Sequence, residues 1–155
     1  MEQLGLRRWL LAGSAAMGAV AATMELARRQ GWTQLQFPRV LGTALAEDTP
    51  ASRAAGWAFF AGNGVLLALA YREAARLTGA EAAVPSGAAL GLLHGLVAVG
   101  SAMALSPLHP RPLQAGLGRW LNSKPPAMGV AVLLGVHVLY GAVLGLAARH
   151  RVAGR

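Results

Sequence analysis

The stretch "GAALGLLHGLVAVGSAMALSPLHP", residues 87–110, decides the fold. It is apolar over most of its length and carries a single histidine, His94, near its centre. A helix needs about 20 apolar residues to cross a ~30 Å hydrocarbon core. Three further runs meet that length, so the chain reads as four spans, about 9–26, 54–71, 84–105 and 127–148. Helix is the required state, because hydrocarbon offers the backbone no outside partners. Pro85 and Pro126 stand at the starts of the third and fourth spans, where a missing N–H costs nothing. The expected fold is therefore all-α: an integral membrane four-helix bundle running up-down-up-down. Residues 1–155 form a single membrane domain in this reading, with both termini on one face.

Composition agrees. The chain has 155 residues, 55% of them hydrophobic and 13% charged, with a mean hydropathy of +0.45. That lies outside the usual soluble range. A net charge of +8 would suit nucleic acid. However, the cations come in twos and threes between apolar runs rather than as a stripe, which is how membrane proteins place them. The partner expected is the lipid bilayer, not nucleic acid. There is no cysteine, which excludes disulfides, thiolate metal sites and iron–sulfur clusters.

The segment "LRRWLLAGSAAMGAVAA", residues 6–22, imitates a signal peptide, with an Arg pair, a short apolar stretch and an A-x-A-like end. It reads better as a retained helix, since the apolar run continues past the would-be cleavage site. Seven basic residues fall on each side of the membrane. Those on the side of the termini, among them Arg7, Arg8, Arg72 and Arg76, hug the helix ends more tightly. Termini in the cytoplasm, in a multi-pass protein of the cytoplasmic membrane, are expected on that ground.

Both loops on the opposite face carry helical periodicity. In "FPRVLGTALAEDTP" it is Val40, Leu41, Ala44 and Leu45; in "RPLQAGLGRWLNSKPP" it is Leu113, Leu117, Trp120 and Leu121. These are short interfacial helices in loops 1 and 3, with Trp120 as the anchor, or else ordered loops that cap the bundle. Glu47 and Asp48 read as a solvated turn before Pro50.

What is a histidine doing inside such a span? Gly87, Gly91, His94, Ala98 and Ser101 share one stripe of the third helix, opposite Leu92, Leu93, Leu96 and Val99. Small residues let helices approach closely in lipid, so this stripe faces inward. The first span aligns Ser14, Gly18, Ala21 and Glu25, and the second Gly56, Asn63 and Ala70. The fourth aligns His137, Gly141 and Gly145. An inward polar layer of Glu25, Asn63, His94 and His137 follows, with His94 paired to His137 and Asn63 bonded to one of them.

Intramembrane ionisable residues are costly and are read as functional by default. Three roles stay open for this layer. It fixes helix register by hydrogen bonding, or it holds haem b between His94 and His137. Alternatively it binds a transition metal through His94, His137, Glu25 and His109. No nucleophilic triad, phosphate-binding glycine loop or carboxylate pair can be assembled from six acidic residues, which argues against an enzyme.

The segments "LQFPRVLGTALAEDTPASRAAGW", "NGVLLALAY", "GAALGLLHGL", "LHPRP" and "HVLYGAVLG" together resemble a family of uncharacterised bacterial four-transmembrane-helix proteins. The resemblance runs from the first helix to about Arg149. It matches Glu25, Asn63-Gly64, His94-Gly95, the His109-Pro110-Arg111 turn and His137 with Tyr140-Gly141. The family commonly shows a histidine in the second helix where this chain has Phe60, which weakens any ligand set that draws on that helix. The family has no established activity, so the resemblance implies architecture only. A non-enzymatic binding or accessory protein is expected, alone, as a homo-oligomer or in a larger membrane complex. The alternatives are a haem b or metal carrier, and a small oligomeric transporter or channel.

Overall fold

A computed structural model describes residues 2–78, 83–115, 117 and 127–148. These are α1 (Glu2–Arg29), α2 (Phe37–Leu45), α3 (Pro50–Thr78), α4 (Val84–Leu105), a 3-10 turn (Ser106–Leu108), α5 (Pro112–Ala115) and α6 (Met128–Ala148). The described chain is all-α, and α1, α3, α4 and α6 are long and apolar enough to cross a membrane.

α1 and α3 overrun the expected spans at both ends, because a helix stops at a chemical signal and not where hydropathy falls. α1 stops at Gly31, whose φ is +73°. There the Trp32 N–H donates to the Ala27 carbonyl at 2.9 Å and the Gly31 N–H to the Arg28 carbonyl at 3.0 Å. This paired closure satisfies carbonyls the helix end would otherwise orphan. α3 starts where Thr49 and Ser52 exchange backbone-to-hydroxyl bonds of 2.9 and 3.2 Å, with Pro50 at the first helical position.

α6 is the hub, lying along α4 on one side and α1 on the other, while α1 packs on α3. The order in space is thus α3, α1, α6, α4. Although consecutive in the chain, α3 and α4 make little backbone contact. One side of the bundle is therefore open and must be closed by side chains. At the α4–α6 crossing, backbone meets backbone. A Cβ added at Gly91 would fall on the His137 carbonyl, and one at Gly141 on the Gly87 carbonyl. Glycine is required there by close approach, not by φ.

The expected inward stripes hold on α4 and α6 and fail on α1 and α3. Gly87, Gly91 and Gly141 are buried, but Ser101 is exposed and Val99, expected on the outer face, packs half-buried against the core, because the buried line runs Gly87–Gly91–Gly95. On α1, Ser14 and Gly18 are exposed, and the inward face is Ala16, Met17, Val20 and Met24. On α3, Asn63 and Ala70 face outward, and Phe60, Gly64, Ala68 and Tyr71 face inward. The cause of the α3 error is Gly56. It is buried by α2, where its Cβ would fall on the Pro38 carbonyl, and not by the bundle. Taking Gly56 as the centre rotates the assigned face by about a quarter turn.

α2 forms as expected and packs on α3 through Gly42 and Gly56. Leu41 and Leu45 remain exposed on its outer side. The connection after α4 is tied to it. The His109 Nε2–H donates to the Val40 carbonyl at 3.0 Å, and Arg111 Nη1 donates to the Thr43 carbonyl at 3.1 Å. Ala115 and Leu117 are buried. Trp120, the expected anchor, lies outside the described residues.

Candidate functional site

His94 and His137 meet edge to face across the α4–α6 crossing, with ring centroids 4.6 Å apart and planes at 86°. Glycine makes this possible. A Cβ at Gly95 would meet His137 Cβ at 3.1 Å, so only a bare backbone leaves room for the second ring beside the first.

Each ring is anchored by its own bond. His137 Nδ1 lies 2.7 Å from the Leu133 carbonyl one turn back. A carbonyl only accepts, so Nδ1 carries the proton and Nε2 the lone pair. His94 Nδ1 lies 3.3 Å from the Tyr71 hydroxyl, which bridges the open side between α3 and α4. Tyr71 stands edge-on to Tyr140 at 5.6 Å, and the Tyr140 hydroxyl donates to the Gly64 carbonyl. Four rings from three helices thus fill the gap that backbone packing leaves.

The other expected members of the layer are elsewhere. Asn63 is exposed on α3 and lines a groove of about 630 Å³ with Leu41, Ala58, Phe59 and Leu66. It is not bonded to either histidine. Glu25 sits at the far end of α1, where Arg28 and Arg29 grip its two carboxylate oxygens at 2.8–2.9 Å. His109 is on the capping turn, with Nε2–H committed to Val40 and Nδ1 accepting the Arg111 N–H at 3.0 Å. Both of its ring nitrogens are therefore in use. The metal set His94, His137, Glu25 and His109 is not assembled. Among the described residues no group of three or more His, Asp or Glu could hold an ion.

Haem does not fit between the two histidines either. A macrocycle needs a slot between α4 and α6, and the Gly91–His137 and Gly87–Gly141 backbone contacts close that slot.

The spacing of small residues does not pick out Tyr71, and Tyr140 is marked only by the resemblance. The signal for Tyr71 was the run Phe60–Gly64–Ala68–Tyr71, spaced i+4, i+4, i+3, which marks the true inward face. Asp48 is not the solvated turn residue that its place before Pro50 suggests. Its side chain is largely covered and accepts from Arg53 at 2.7 and 3.1 Å and from Arg39. The Arg53 guanidinium, with Arg39 behind it, holds the Asp48 carboxyl down to about 2.

Comparison with protein-family models, with curated proteins and with solved structures gives no match in any of the three. No family is identified for the chain, and what stands is the set of four long apolar helices.

Proposed function

We propose that the chain is a small polytopic protein of the cytoplasmic membrane, with four spans and cytoplasmic termini. In this reading it is a non-enzymatic binding or accessory protein whose histidines fix helix register. The observation that carries the reading is the contrast between outside and inside. α4 packs on α6 and leaves Leu92, Leu93, Leu96 and Val97 exposed at 45–60%. Water opposes a contiguous apolar face of that kind, and hydrocarbon does not. Inside, Tyr71, His94, His137 and Tyr140 each make a hydrogen bond within the fold, the two histidines through Nδ1. A layer satisfied in this way fits polar residues acting between membrane helices, worth about 0.6 kcal/mol each.

The test has two arms. Reporter fusions after Arg76 and after Arg155 should share one sidedness, opposite to fusions after Arg39. Different signals from Arg76 and Arg155 would sink the four-span reading. Purified protein should show no Soret band and no stoichiometric metal, and a red preparation that loses its colour in His94→Gln would replace register-fixing with ligation.

Asn63 favours a homo-oligomer. It stands midway along α3, faces outward and has no hydrogen-bond partner among the described residues. A primary amide both donates and accepts, so a second copy can satisfy it, and hydrocarbon cannot. The chain has no cysteine of its own, which makes a single introduced thiol unambiguous. Ala58→Cys, in the Asn63 groove, should cross-link into dimers, and adding Asn63→Leu should abolish the dimer. Equal cross-linking from Leu93→Cys on α4 would show the contact to be collisional.

A further inference from the structure

Between the end of α1, α2 and the start of α3 lies a cavity of about 640 Å³. Its lining joins a charged mouth, where Arg28, Arg29, Arg39 and Arg53 are all partly exposed beside Glu25, to an apolar floor of buried Met24 and Phe60, with Phe37 half-buried and Trp57 exposed at the edge. It reaches down α1 from Arg28 to Ala21, roughly 10 Å along the axis.

The arginines are only partly neutralised. Glu25 takes Arg28 and Arg29, and Asp48 takes Arg39 and Arg53, so four guanidinium charges face two carboxylates. Arg39 Nε is buried and has no partner among the described residues. The first turn of α2, which also lines the cavity, carries no side-chain cap at Gln36. An uncapped helix start adds a positive partial charge beside the surplus arginine charge.

We propose that this cavity binds the phosphate headgroup of an anionic lipid, with an acyl chain laid over Met24, Trp57 and Phe60. The proposal rests on reading the chain as membrane-spanning, since α1 and α3 then bring the mouth to headgroup level. Phosphate suits the donors, because its oxygens accept from several guanidinium forks at once. A free inorganic anion would satisfy the mouth and leave the apolar floor without an occupant.

The test uses the full chain in detergent micelles doped with phosphatidylglycerol or with phosphatidylcholine, with lipid retention read by native mass spectrometry. Phosphatidylglycerol should be retained over phosphatidylcholine by about tenfold, the equivalent of one charge-assisted hydrogen bond. Arg39→Lys keeps the charge opposite Asp48 but loses the planar fork of donors, and should erase most of that preference. Arg29→Gln removes one surplus charge while Arg28 still holds Glu25, and should lower retention without changing thermal stability. Arg72→Gln, at the other end of α3, should retain lipid as the wild type does. Equal retention of both lipids, wild-type behaviour of Arg39→Lys and Arg29→Gln, or displacement of the lipid by equimolar inorganic phosphate would each overturn the site. Phase partitioning separates the two readings. Protein that enters the detergent phase without discriminating between lipids refutes the site alone, and protein that stays in the aqueous phase refutes both.

Discussion

α4 meets its two neighbours in opposite ways. Against α6 it closes until glycine backbones touch, at Gly87–Gly141 and Gly91–His137. Against α3 it stays back, and the Tyr71–His94 bond reaches across at 3.3 Å. The first contact is made of shape and the second of chemistry. Shape of this kind has no slack, because the obstacle to a larger residue is main chain that cannot turn aside. A bridging pair of rings can shift by a rotamer and keep most of its packing. The histidines thus stand beside a backbone-to-backbone contact and face a gap that only side chains bridge.

The largest expected effect lies on the tight side. Gly91→Leu should cost at least about 3 kcal/mol in a detergent unfolding assay, since the new side chain starts on a carbonyl. Gly18→Leu, where an added Cβ meets nothing within 4 Å, should be close to neutral. Leu92→Ala, on the exposed side of α4, should also be mild. If Gly18→Leu proves the worse glycine change, the α1 face described above is inverted.

A smaller effect is expected on the bridged side. Tyr140→Phe withdraws the donor to the Gly64 carbonyl and should cost about 1 kcal/mol. His94→Gln and Tyr71→Phe should each cost near 0.6 kcal/mol, and the double mutant should lose no more than either alone. Strict additivity of the two would mean that the rings touch without sharing a bond.

The smallest effect belongs to neither contact and serves as their control. Asp48 is held at about 2 against an ordinary 3.8, so its folded value is the lower one. Its contribution is complete above the unfolded value and fades as pH falls from about 4 through about 2. Unfolding midpoints over that window should drop more steeply in the wild type than in Asp48→Asn. Parallel curves would remove the loop carboxylate from the account.

The four long helices were legible because apolar length is a one-dimensional property. So was the meeting of His94 with His137, since both sit at mid-span on faces marked by Gly87, Gly91, Gly141 and Gly145. The faces of α1 and α3 were not legible from small residues alone. In α1 the core is built by Met17 filling the hollow at Gly64, so the inward face carries the larger side chains. In α3 the small residue Gly56 serves α2 and not the bundle. Which neighbour a glycine admits is settled in three dimensions, and one helix's periodicity does not carry it. His109 shows the same limit from the other direction. As a residue type it suited a metal, and its two neighbours, Val40 and Arg111, use both of its nitrogens.

The tie between α2 and the turn after α4 also sets a clock. The Val40 carbonyl waits for a ring 69 residues later in the chain, and the Thr43 carbonyl for a guanidinium 68 residues later. At roughly 5–20 residues per second, the ribosome delivers those donors about 3–14 s after α2 itself. Through that interval α1, α2 and α3 exist without the clasp that finishes them, and the third long helix must be threaded before it can close. The His109–Arg111 turn is thus a late latch on an early element. A chain stalled before it would carry α2 docked on α3 and untied on its other side.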